Sequence, residues 1–305
     1  MNKSFVAILI LFGILFSGNA QEKSIYFQHI TPKEGLSQGY ILCMLQDREG
    51  YIWIGTFYGL NRYNGYTFKL FTNSKTDTTS LTSNTILSLF EDKEGFIWVG
   101  TEYGLDRFDK KTETFKHYRV KTGNNCLNDG YILAISQDTE ENIWVATKNG
   151  GLNRIDHKTG RITYIKNKLY PKQSSNTIND LCFCRDNKLW IATDGDGLCY
   201  LSPGENKIIP FPQIINGKDA YPIRKVRCLY YDAAGILWFG DSEGRIFSTD
   251  IKNNRLIQHH FLPFGIKPEY YVITDITGDS EGNLLIGTNG AGLIIYNHCC
   301  PIKIY

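Results

Sequence analysis

Three groups of residues in this chain have the types that catalysis or metal binding uses, and their spacing decides what each can do. Catalysis needs a nucleophile beside a base, a pair of convergent carboxylates, or a histidine cluster. His259 and His260 are adjacent within a strand-like stretch, so their side chains leave on opposite faces. Neither a G-x-S-x-G nor an H-E-x-x-H motif occurs. Cys182 and Cys184 resemble half of a zinc motif, but no second pair at zinc spacing and no nearby histidine accompany them. Asp194-Gly195-Asp196-Gly197 supplies two of the several oxygen ligands a calcium loop requires. These residues therefore predict a turn there, buried thiols at the cysteines, no metal, no cofactor and no catalytic residue. The remaining chemistry lies in tyrosine and arginine. Aromatic faces stack on sugar rings, and guanidinium groups donate planar hydrogen bonds to hydroxyls or carboxylates.

Composition narrows the partner. The formal net charge of +2 and the scattered basic residues give no bulk attraction to nucleic acid or an anionic membrane. Lys3 followed by the apolar run from Phe5 to Phe16, then Ser17-Gly18-Asn19-Ala20, predicts a signal peptide over residues 1–20, cleaved after Ala20. The remainder, residues 21–305, is then exported, with eight cysteines in a compartment that permits disulfides.

Periodicity reveals what must position these side chains. Trp53, Trp98, Trp144, Trp190 and Trp238 are all the tryptophans, spaced 45 to 48 residues apart, and Leu285 takes the slot in a sixth copy. The flanking blocks align: DREGYIWIGTFYGLNRY, DKEGFIWVGTEYGLDRF, DTEENIWVATKNGGLNRI, CRDNKLWIATDGDGLCY, DAAGILWFGDSEGRIF and DSEGNLLIGTNGAGLII. Each copy reads as four short strands separated by turns, with the tryptophan on the second strand.

A four-stranded unit cannot bury both faces alone, whereas units stacked around an axis can. The expected fold class is all-β, a β-propeller of four-stranded antiparallel blades with six repeats visible. A small residue precedes each tryptophan slot by ten positions (Cys43, Ser88, Ala134, Asp180, Cys228, Asp275), as crowding near an axis requires. The tryptophans are expected to wedge between blades. Two routes complete the last sheet: an N-terminal strand around Tyr26-Phe27-Gln28-His29-Ile30, or a native fourth strand in Pro301-Ile302-Lys303-Ile304-Tyr305. Six blades would close on this count.

The blocks resemble the two-component regulator propeller repeat. Leu81, Ser83, Asn84 and Ile86 match its first segment; Asp92, Gly95, Ile97, Trp98, Gly100 and Thr101 its second; Gly104, Leu105, Arg107 and Phe108 its third. Cys184 in place of the turn aspartate, Asp241 in place of the threonine and Leu285 in place of the tryptophan depart from it, and predict looser blades there. The resemblance implies a periplasmic sensor propeller of a hybrid two-component histidine kinase, in a family whose propellers are usually seven-bladed and arranged in tandem. It covers only the first propeller of such a protein, which predicts an incomplete sensor or a truncated reading frame.

On that fold, the loops between second and third strands share a face with the loops leading into each next blade. Phe57, Tyr58 and Tyr103 fall on the former; Tyr40, Tyr131, Arg224, Arg227, Tyr270 and Tyr271 lie where the chain enters a blade. These are the candidate ligand residues, for an oligosaccharide or similar small molecule. The expected partners are a histidine kinase portion or a neighbouring propeller domain, and a homodimer is compatible. A protein-interaction scaffold is the alternative. A glycan lyase or hydrolase would have to use acids in the channel, Asp180 and Asp275.

Overall fold

The structure, a computed structural model, describes residues 27–120, 125–165, 176–212, 214–215, 218–219, 223–250, 255–260, 272–297 and 300–304. The signal-peptide segment, Tyr26, Tyr270, Tyr271 and Cys299 lie outside them.

Six four-stranded antiparallel sheets follow one another around a central channel. The inner strands are Ile41–Gln46, Ile86–Glu91, Ile132–Gln137, Ile178–Phe183, Val226–Tyr231 and Val272–Gly278. In every blade the order runs outwards from the inner strand to the fourth. The repeat explains this locally. In blade two, Asp92 closes a tight turn, with Gly95 at φ +89° donating its N–H to Asp92 O at 3.0 Å. The run of aromatic and β-branched residues in Ile97–Thr101 then favours a pleated, doubly buried strand. The inner-strand pairing carries a register shift at the channel end in all six blades, for example between Ile86 and Ser88. Such a bulge increases the local twist beside the axis.

Packing is between blades rather than within them. Five buried cores join successive blades: Trp53 with Ile86, Ile97 and Phe108; Trp98 with Ile132 and Ile143; Trp144 with Ile178 and Leu189; Trp190 with Val226 and Phe239; Trp238 with Ile273 and Ile286. Each tryptophan is therefore a wedge into the following blade.

One open choice is settled and two details were not foreseen. The last sheet is completed by Cys300–Ile304, paired with Gly292–Asn297, and residues 27–30 form no strand. The native fourth strand is the route taken, because a short connection pairs consecutive strands at low entropic cost. The fourth strand of blade four is reduced to Ile209–Pro210. A small hairpin, Ile214–Ile215 with Lys218–Asp219, adds to the edge of blade five by parallel pairing of Ile215 with Leu256.

Candidate functional site: the channel and its loop face

The turns between second and third strands share one internal device. Thr101 Oγ1 donates to Gly104 O at 2.8 Å and accepts from the N–H groups of Tyr103 and Gly104, both at 3.1 Å. Thr56, Thr147, Thr193 and Thr288 hold their turns in the same way. Asp241, in the threonine slot of blade five, accepts from Glu243 N (2.9 Å) and Arg245 N (2.8 Å), and takes Arg245 Nε at 2.6 Å. That turn is tied by three side-chain bonds, as many as at Thr101, so the expected looseness is not found at this turn. The turns are thus rigid platforms for whatever residues sit at their tips.

On those tips, Phe57, Tyr58 and Tyr103 are exposed, as is Tyr40 on the adjoining approach to blade one. Tyr40 and Phe57 meet, with ring centroids 5.4 Å apart and planes at 40°, and Phe57 N is held by Gln38 Oε1 at 3.2 Å. Tyr131 is half-buried beneath Lys148, whose Nζ lies 4.6 Å from the ring centroid. Gly130 leaves room for the Tyr103 backbone, since a Cβ there would meet Tyr103 C at 3.0 Å. The aromatic candidates of blades one to three thus fall along one stretch of the loop face. The arginines differ. Arg224 supports the fourth blade's turn through its carbonyl, which accepts from Gly195 N (2.7 Å) and Gly197 N (3.0 Å). Arg227 instead lines the channel beside Asp180, Cys228 and Asp275.

All six small residues at the repeated axial position, Cys43, Ser88, Ala134, Asp180, Cys228 and Asp275, line that channel. Enclosure by the channel wall pushes the Asp180 carboxyl up to about 7, against the N–H groups of Leu229 and Leu181 and with the nearby Asp275 adding to the rise. Asp275 is raised by enclosure too. Burial likewise pushes the Cys43 thiol up to about 12 and Cys228 well above its usual range. Such thiols stay protonated and unreactive. Among the described residues Cys43, Cys182, Cys184, Cys199 and Cys228 are free thiols. His259 is occupied by Ser248 Oγ at 2.8 Å and by the Trp238 ring at 4.7 Å.

Two features escaped the sequence reading. A cleft of about 270 Å3 opens between blades three and four, with Trp144, Arg154, Phe183 and Asn187 in its wall. His117 Nδ1 lies 2.7 Å from the buried Asp106 Oδ1, and Nε2 lies 2.8 Å from Thr78 O. Placement of neighbouring blades creates the cleft, whereas Asp106 and His117 face each other in register across the third and fourth strands of one blade; the repeat alignment carries no signal for either.

Residues 35–58, 80–103 and 126–149 match the family described as two component regulator propeller. A histidine kinase, P4, of Formosa agariphila is 41% identical over 75 residues, covering 24% of this chain and 6% of that protein. Among solved structures, the extracellular domain of the hybrid two component system BT3049 of B. thetaiotaomicron superposes with a TM-score of 0.76 at 24% identity. That match covers 91% of this chain and 36% of the other. PorZ, a bacterial surface component of the type-IX secretion system of Porphyromonas gingivalis, gives a TM-score of 0.66 at 16% identity, over 93% and 43% of the two chains. The chain thus spans about a third of the first of these structures and a small fraction of the kinase. Among the described residues no helix is long and apolar enough to cross a membrane.

Proposed function

We propose that this chain, which carries the two-component regulator propeller repeat, is an extracytoplasmic sensing domain of a two-component system that takes an oligosaccharide on its loop face. The observation that carries the reading is the row of exposed aromatic side chains, with Phe57, Tyr58 and Tyr103 on turns stapled by Thr56 and Thr101 and Tyr40 on the adjoining approach to blade one. Loops that vary on a rigid scaffold are where ligands are read, and exposed rings in a row suit the alternating apolar faces of linked sugars. Arg227 in the channel adds a donor for a hydroxyl or carboxylate. Asp180 and Asp275, each held by neighbouring backbone N–H groups, serve this reading as channel wall, with no catalytic step assigned to them. The periplasm, a histidine kinase portion and a neighbouring propeller domain are the location and partners that go with it.

Thermal unfolding against a panel of oligosaccharides tests the reading, because a ligand of the native state raises Tm by mass action. A saturable rise with one glycan class, lost in the Phe57→Ala/Tyr58→Ala double variant, supports it. No rise with any glycan, together with a rise on adding a protein partner, would replace the sensor with a protein-interaction scaffold. Breakdown of the glycan during the assay would make the chain an enzyme.

A further inference from the structure

We propose that the cleft between blades three and four, on the face opposite the aromatic loops, binds a basic amino acid of which lysine is the simplest form. The inference stands apart from the loop-face reading. It rests on the contrast between this interface and the one joining blades one and two, where the protein's own side chains fill the equivalent place.

Between blades one and two, cross-blade ion pairs close the gap beside the tryptophan. Lys110 of blade two lies 3.0 Å from Asp47 and 3.4 Å from Glu49 of blade one, and 2.8 Å from Glu91 of its own blade. Arg62 of blade one, 5.6 Å from the Trp53 ring centroid, reaches Glu113 of blade two at 3.2 Å. Strand register fixes the equivalent positions in blades three and four. Asp138, Glu140 and Arg154 repeat Asp47, Glu49 and Arg62, and Arg154 lies 5.8 Å from the Trp144 ring centroid. The blade-four half differs. Pro203 replaces Lys110, Phe183 replaces Glu91, and the turn Pro203-Gly204-Glu205-Asn206 replaces the one that carries Glu113.

The cleft of about 270 Å3 opens among these residues. Asp138 is half-buried and accepts from Asn142 N, Asn142 Nδ2 and Trp144 Nε1, all of its own blade. A neutral amide thus stands at Asp138 Oδ2 where Asp47 Oδ2 meets an ammonium. The acids beside Arg154 are Glu140 at 3.7 Å and Asp156 at 3.9 Å, both in blade three and beyond hydrogen-bond distance. Two polar atoms of the wall, Arg154 Nε and Asn187 Oδ1, are buried with no hydrogen-bond partner among the described residues, which is rare in a folded protein.

Charge and shape then define the ligand. Asp138, Glu140 and Glu205 outnumber Arg154 in the lining, so the cleft favours a cation. An ammonium at Asp138 and Glu140 restores the contacts of Lys110, with its methylene stem along Trp144 and Phe183. A carboxylate on the same molecule takes the part of Glu113 at Arg154. The volume falls below that of sites for drug-sized ligands, about 300 Å3 and above, and suits a single amino acid. Lysine carries ammonium, stem and carboxylate together.

Calorimetric titration of the full chain with L-lysine tests the assignment, against norleucine, which lacks the side-chain ammonium, and cadaverine, which lacks the carboxylate. Saturable binding of lysine at a single site is expected, with both analogues weaker by about tenfold or more. Pro203→Lys, which restores the internal ammonium, should abolish binding, and Glu140→Gln should weaken it about two- to fivefold. Arg154→Met should bring lysine down to the affinity of cadaverine without weakening cadaverine itself. Absence of saturable lysine binding overturns the proposal, as does an analogue that binds as tightly as lysine. Lysine binding that survives Pro203→Lys places the site elsewhere and overturns it too. If a variant fails to fold, the three ligands on the unaltered chain decide.

Discussion

The indole N–H of Trp53 donates to Asp47 Oδ2 at 2.8 Å, and both residues are buried. The other oxygen of the same carboxylate accepts from Glu49 N (3.0 Å) and Tyr51 N (2.9 Å). One aspartate thus closes the turn and anchors the wedge six residues later. The pair recurs as Asp92–Trp98, Asp138–Trp144 and Asp232–Trp238, at 2.6 to 2.9 Å. Turn and inter-blade packing are therefore one unit.

Asp47 gains a further partner in Lys110 of the next blade, at 3.0 Å, with Glu91 2.8 Å from the same ammonium. Burial opposes its charge, but the hydrogen bonds from Trp53 and Lys110 outweigh this, and the carboxyl is held below the usual range. Its contribution is present above the unfolded pKa and is lost as pH falls through the folded one, below about 4. Asp47→Ala, which leaves three donors and a buried ammonium short of an acceptor, should cost about 3 kcal/mol at pH 7. The deficit should shrink towards pH 3, as read by urea unfolding at both pH values.

Blade four lacks the unit. Cys184 stands where the aspartate belongs, and Trp190 Nε1 is buried with no hydrogen-bond partner. The turn around Cys184 is otherwise the same, with Asn187 N donating to Cys184 O at 2.9 Å. Cys184→Asp should supply the missing acceptor and stabilise the protein by about 1 kcal/mol, a rise of about 2–4 °C in Tm. A lower Tm would show that the contact between the Cys184 and Cys182 thiols matters more than the orphaned indole.

His117 has an acceptor at each ring nitrogen, Asp106 and the Thr78 carbonyl, which is the pattern of an imidazolium. Its pKa is raised, chiefly by the hydrogen bond to Asp106, against burial and the nearby Arg119. A raised histidine contributes stability that is complete below its unfolded value, about 6.5, and is lost as pH rises through the folded one. His117→Gln should therefore be most costly near pH 5.5 and much less so at pH 9. Amides of residues 74–82, which His117 clasps through Thr78, should exchange faster in wild type as pH rises beyond the intrinsic trend.

Thr101→Val keeps the shape of a fully buried side chain but deletes the oxygen that serves Gly104 O, Tyr103 N and Gly104 N. It should cost about 2 kcal/mol in urea unfolding. Thr288→Val, at an exposed Oγ1–Gly292 bond, should cost clearly less, which separates turn stapling from a general dislike of valine.

Much of this was legible in the residues. The spacing of Trp53 to Trp238 located every second strand, and the small residues from Cys43 to Asp275 located the axis, because a backbone period and a steric limit both act through residue type. The aspartate and tryptophan were legible as separate motif positions, but their hydrogen bond was not, since alignment records identity and not direction. The fourth strand of blade six stayed open between two routes because both segments have strand composition. The edge hairpin at Ile214–Ile215 rests on a parallel pairing with Leu256 some forty residues on, which no local pattern announces.

By itself, the sequence determined the unit: a four-stranded blade with an aspartate turn and a tryptophan on its second strand, in six copies of which copies four to six each depart at one slot. Those features follow from local geometry and from apolar residues placed at period two on short strands. Tertiary structure alone decided how the units meet. It buried Ile86, Ile132, Ile178, Val226 and Ile273 against their neighbours, while Ile41 at the same repeat position is 36% exposed. The physical reason is that each blade carries the same two faces, so the number that surrounds the axis depends on the angle between sheets, a property of the packed interface and of no single repeat.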